Sequence, residues 1–124
     1  MIRILPILVA MSILMSACFN DKRDKLYPTP ATCDTTNVTY SGTISAIMTT
    51  NCAVSGCHDA STQAGTYRLD TYEGVMKPIT NKRLIGAITH SPSFSKMPAG
   101  RTEPMDACTI AKISAWVNKG APNN

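Results

Sequence analysis

The apolar positions of this 124-residue chain fall into separate groups, each with its own period. The first group is unbroken, running from Ile4 to Leu14, with Arg3 before it and the small residues Ser16 and Ala17 after it. It is shorter than the ~20 apolar residues of a membrane-spanning helix and has the layout of an export signal. A polar stretch with two prolines, Asn20 to Thr32, follows and reads as a tether. Periodicity then becomes helical. Ile44, Ile47 and Met48 share one face of a helix over Ile44–Thr50, with Ser41 or Thr43 as its cap. Residues 59–69 are polar and loop-like. Asp70 to Glu73 has the form of a capping box that opens a short helical turn to Met76, with Pro78 as its stop. Asn81 is placed to cap a helix over Lys82–Thr89 whose apolar face carries Leu84, Ile85 and Ile88. An aperiodic loop, His90 to Gly100, leads on toward the last helix, Ala107 to Lys119. Asp106 caps that helix and Gly120 and Pro122 end it, while Ile110, Ile113, Trp116 and Val117 line one face. Trp116 reads as core.

Two details refine the start. Leu14-Met15-Ser16-Ala17-Cys18 resembles the lipobox of bacterial lipoproteins, so Cys18 is the expected lipidation site and the first residue after cleavage. A diacylglycerol and an amide-linked chain on Cys18 would exceed the two signals that stable anchoring needs and would tether the chain to a bilayer without spanning it. The expected organisation is a signal peptide at 1–17, a lipid-anchored cysteine and flexible linker at 18–37, and a domain at 38–124. The full chain carries a formal net charge of +4, and cleavage removes only Arg3. That mild charge, with no basic stripe bearing interleaved aromatics, does not suggest a nucleic-acid binder, and no nucleic-acid partner is expected.

The densest chemistry lies at Cys52-Ala53-Val54-Ser55-Gly56-Cys57-His58. Two cysteines with a histidine directly after the second are the attachment signature of a c-type haem, here with four intervening residues instead of two. In such a site Cys52 and Cys57 supply thioether bonds and His58 the proximal iron ligand. Gly56 gives the longer loop a residue that accepts positive φ. The competing reading pairs Cys52 with Cys57 as a disulfide, or makes them a metal site. Five cysteines are present. If Cys18 takes lipid and Cys52 and Cys57 take haem, Cys33 and Cys108 remain to pair in an oxidising compartment. A sixth iron ligand would come from Met48, Met76, Met97, Met105 or His90. Met97, followed by Pro98 on the loop before the last helix, is the preferred thioether, and His90 is the alternative distal ligand.

Taken in order, these segments resemble the small bacterial monohaem cytochrome c domains. The resemblance rests on Tyr40–Met48 (YSGTISAIM), on Cys52–His58, on Gly65–Tyr72 (GTYRLDTY), on Met97–Gly100 (MPAG) and on Ile113–Ala121 (ISAWVNKGA), and covers roughly residues 38–121. The four-residue spacer and Ala99, where the family often has a second proline, depart from the pattern. The resemblance implies a mostly α fold, a cytochrome c-like domain of about four short helices wrapped around one covalently attached haem c. It also implies electron transfer between Fe(II) and Fe(III), with redox partner proteins at a membrane. The protein would act as a monomer or as a module of a larger complex, in the periplasm or at the cell surface. Two other readings remain open at this stage. One is a peroxidase-like or gas-binding haem protein with an open sixth site; the other is a haem-free lipoprotein stapled by two disulfides. No further catalytic constellation is present, because Asp59, Glu73 and Glu103 stand apart from any base or nucleophile.

Overall fold

The computed structural model describes residues 33–124. The expected signal peptide at 1–17, the lipidation site Cys18 and the linker up to Thr32 lie outside the described residues. Among the described residues the fold is mostly helical, with no strand. Its α-helices are α1 (Ser45–Asn51), α2 (Tyr72–Thr80), α3 (Leu84–Ile88) and α4 (Ala107–Asn118). A π-helical turn, Tyr40–Ile44, runs directly into α1.

Four helix boundaries differ from the sequence pattern, each for a local reason. The first helical segment starts at Tyr40, because the Thr39 hydroxyl accepts the Gly42 N–H; neither Ser41 nor Thr43 is the cap. Thr71, not Asp70, caps α2 by accepting the Gly74 N–H at 3.2 Å. Asp70 is instead engaged by Arg68, whose Nε lies 2.6 Å from the carboxylate. α2 also runs through Pro78 to Thr80. Proline in the final turn removes one backbone bond, and here its ring is buried, which offsets part of that loss. Lastly, α3 begins at Leu84 and not at Lys82, because Lys82 holds a left-handed φ of 55° that no helix continues through. Asn81 closes α2 rather than opening α3.

The fourth helix follows its pattern. Asp106 accepts the N–H groups of Cys108 and Thr109 at 3.0 and 3.1 Å. On its apolar face Ile113 and Trp116 are fully enclosed, and Ile110 and Val117 are half-buried. Replacing Asp106 by alanine is expected to cost about 1 kcal/mol, the usual worth of such a cap. Bonding to Thr109, followed by its bond to Cys108 and the nearby Lys112, holds the Asp106 carboxyl below its ordinary pKa. The cap is therefore fully stabilising above the ordinary aspartate pKa of about 4 and is lost as pH falls through the lower folded-state value. The difference in unfolding free energy between parent and Asp106→Ala should shrink on acidification; a difference that does not change with pH would contradict this assignment.

The core gathers Val38, Ile44, Met48, Val75, Ile113 and Trp116 from all ends of the described chain. Tyr40, Tyr72 and Trp116 form an aromatic cluster with centroids 5.0 to 6.5 Å apart. Two of these rings also tie down the C-terminal segment: Tyr72 Oη donates to Ala121 O at 2.8 Å and Trp116 Nε1 to Pro122 O at 2.9 Å. Asn124 in turn accepts the N–H groups of Tyr40 and Ser41. At the other side, Cys33 and Cys108 form a disulfide with Cα atoms 5.5 Å apart. Together with the Lys119 bond to Thr36 O at 2.7 Å, it ties residues 33–36, which the composition groups with the linker, to α4.

Candidate functional site

The attachment-like loop is built by backbone bonding that starts at the end of α1. The N–H groups of Cys52 and Ala53 both donate to Met48 O, so the helix closes at the first cysteine. The four spacer residues then fold into a tight turn. Cys57 N–H donates to Val54 O at 3.0 Å, with Gly56 at a φ of 82°, the left-handed position of a type II turn. His58 N–H reaches back to Cys52 O at 3.2 Å. The two additional residues are thus taken up in the turn, and Cys57 and His58 return to the level of Cys52. Asp59 fastens the same turn: one carboxylate oxygen accepts Gly56 N–H, and the other accepts the N–H groups of Ser61 and Thr62 and the Ser61 hydroxyl. These bonds, led by the Ser61 hydroxyl, hold its carboxyl well below the usual carboxylate range.

His58 is buried. Its Nδ1 lies 3.1 Å from the Tyr67 carbonyl oxygen, and because a carbonyl only accepts, Nδ1 is the donor, which makes Nε2 the lone-pair nitrogen of the neutral ring. Fixing one ring nitrogen in this way orients the other as a metal ligand. The Tyr67 carbonyl is delivered by a segment held from both sides. Leu69 N–H donates to His58 O at 2.8 Å, and Arg68 O lies so close to Gly74 of α2 that a Cβ there would overlap it.

Cys52, Cys57, His58 and Met97 all line one cavity of about 540 Å³. That volume falls within the range of small-molecule and cofactor pockets. Leu69, Leu84, Ile88 and Phe94 give it apolar walls, and Arg83 is its one charged lining residue. Cys52 and Cys57 are free thiols in a domain whose other two described cysteines are bonded to each other. Burial, with a smaller contribution from Cys57, pushes the Cys52 thiol up to about 11. At neutral pH burial therefore favours the thiol over the thiolate at Cys52, which lowers its reactivity as a nucleophile. Among the described residues no group of three or more His, Cys, Asp or Glu side chains converges on one point.

The remaining thioethers and imidazole separate clearly. Met48 is buried in the core and Met76 packs against it; neither lines the cavity. Met105 does line it, beside Met97, while also belonging to the buried core. His90 does not line it. Its Nε2 faces the Met97 carbonyl at 3.2 Å. Trp116 is fully buried but is not part of the cavity wall. The roles of the Tyr67 carbonyl, Asp59 and Gly74 carry no sequence signal of their own, since the first is a backbone atom and the other two act by local bonding and close approach. Compared with protein-family models, curated proteins and solved structures, the chain matches none.

Proposed function

We propose that the protein is a small monohaem c-type cytochrome that carries electrons. The observation supporting this most strongly is that Cys52, Cys57, His58 and Met97, chosen from the sequence for their chemistry, line the same cavity although they come from two distant segments. The residues present fit the group. Two thiols are unpaired, one imidazole is fixed at Nδ1 with Nε2 free, and apolar walls surround a space of cofactor size. A haem-free domain with a Cys52–Cys57 disulfide is disfavoured, because those thiols stand free while Cys33 and Cys108 are bonded.

Haem c supplies one-electron chemistry at an iron that alternates between Fe(II) and Fe(III). In this proposal Cys52 and Cys57 hold it through thioethers and His58 gives the proximal nitrogen. Tyr67, through its carbonyl, fixes the imidazole tautomer. Met97 would supply the thioether ligand; its backbone is held at both N–H and C=O, whereas Met105 is committed to the core. Ligation by one thioether and one imidazole would raise the reduction potential of the group. Leu84, Ile88 and Phe94 exclude water from the cavity walls. Lys77, Lys82, Arg83, Lys96 and Arg101 are exposed, and among the described residues the one ion pair is Arg68–Asp70. These five cations suit a transient encounter with an acidic redox partner. Acylated Cys18 would keep the domain at a membrane surface, in the periplasm or outside the cell, and raise its effective concentration near such a partner.

The test is a haem stain of the exported protein after denaturing electrophoresis. A band that retains peroxidase colour through denaturation is expected. A colourless band at the position of the protein would reject the proposal.

A further inference from the structure

His90 occupies a backbone position that favours glycine. It follows α3 with a φ of 55°, its N–H donates to Ala87 O at 3.3 Å, and Ser91 N–H donates to Gly86 O at 2.9 Å. This pair of bonds is a Schellman motif, whose left-handed residue is usually glycine because a Cβ is strained there. A histidine at this position needs a reason, and its side chain supplies one. Nε2 meets the Met97 carbonyl at 3.2 Å, while Nδ1 is buried without any partner. The carbonyl accepts, so Nε2 is the donor. Met97 N–H is bonded in turn to Ala87 O at 3.0 Å. The C-terminus of α3 therefore grips the Met97 backbone on both sides, once through a main-chain carbonyl and once through an imidazole.

We propose that His90 is a positioning residue for Met97: its Nε2–H fixes the Met97 carbonyl and so holds the thioether at the cavity. The inference rests on the haem reading and gives His90 a role distinct from that of an iron ligand. Ligation of iron through Nε2 would require the imidazole to release Met97 O, and His90 does not line the cavity.

His90→Gly separates this role from simple folding. Glycine relieves the left-handed strain and keeps the Schellman bonds, which offsets the lost side-chain bond, so thermal stability should change little. The bond to Met97 is lost, and one net hydrogen bond corresponds to about a fivefold shift in the equilibrium between ligated and released Met97. The expected result is a weakened sulfur-to-iron band in the oxidised holoprotein and about fivefold tighter binding of added imidazole. His90→Gln, whose amide nitrogen reaches a similar point, should restore much of both signals. A haem-stained protein whose band and imidazole affinity are unchanged in His90→Gly would overturn the proposal alone. Loss of bis-imidazole spectra from the parent on this substitution would make His90 a ligand and overturn it too. A parent protein that does not stain for haem would overturn the haem reading and this inference together.

Discussion

Replacing Cys33 and Cys108 together by serine is expected to lower the unfolding free energy by about 4 kcal/mol, the largest loss available from any one covalent feature of the described domain. The two residues are 75 positions apart, so reduction frees a loop that contains every residue proposed for the cofactor site. In the chain-entropy picture the stabilisation grows with the logarithm of loop length, which gives about 4.5 kcal/mol here before any native-state relaxation. The geometry adds a second contribution. The bridge ties the start of the described chain to the first turn of α4, and the bond from Lys119 to Thr36 O ties it to the opposite end of that helix. A domain of this size has a thin core, so a loss of several kcal/mol is a large share of the total. Denaturant unfolding of the holoprotein should show a much lower midpoint, and a steeper slope if the released chain expands. A shift equivalent to less than about 1 kcal/mol would mean that the bridge contributes little beyond local packing.

Gly74→Ala is expected to cost about 3 kcal/mol and to disturb the His58 imidazole at the same time. A Cβ at Gly74 would overlap the Arg68 carbonyl oxygen, lie 2.8 Å from its carbon and touch the Thr71 hydroxyl at 3.0 Å. Overpacking against side chains can be relieved by rotamers, at about 1–3 kcal/mol. Backbone cannot move that way, so the substitution must push the 67–69 segment off α2. That segment carries the Tyr67 carbonyl bonded to His58 Nδ1. The glycine costs little in its own backbone geometry, so its role is close approach, not unusual dihedrals. Thermal unfolding should fall by several degrees for a loss of this size. The His58 imidazole should show a changed proton signature at Nδ1. An alanine variant with parental stability and an unperturbed Nδ1–H would refute the claim that Gly74 sets the position of the Tyr67 carbonyl.

The sequence pattern was most legible where side-chain period and capping agree. In α4, Asp106 caps as its position suggests, and Ile113 and Trp116 are buried on the face the spacing marks. The pairing of Cys33 with Cys108 follows from asking which thiols the other chemistry leaves over, and the structure bears it out. Legibility failed at short helices, where one backbone dihedral outweighs the pattern. Lys82 in a left-handed conformation delays α3 by two residues, and Thr71 displaces Asp70 as the α2 cap because Arg68 already holds that carboxylate. At the candidate site the chemically distinctive side chains could be picked out, and the supporting atoms could not. The Tyr67 carbonyl, the Cys52 carbonyl and the peptide of Met97 are main-chain groups that every residue type possesses. Met105 appeared only as one of several thioethers, and its place on the cavity wall depends on tertiary packing.

The central claim is that Cys52 and Cys57 carry one haem, with His58 beside them. Intact mass measurement of the exported protein, followed by peptide mapping, tests it most directly. The account predicts a chain heavier by one haem, with the added mass confined to the peptide that spans Cys52 to His58 and retained after denaturation and reduction. A chain without that mass, in which Cys52 and Cys57 are recovered as free thiols or as a disulfide with each other, would contradict it.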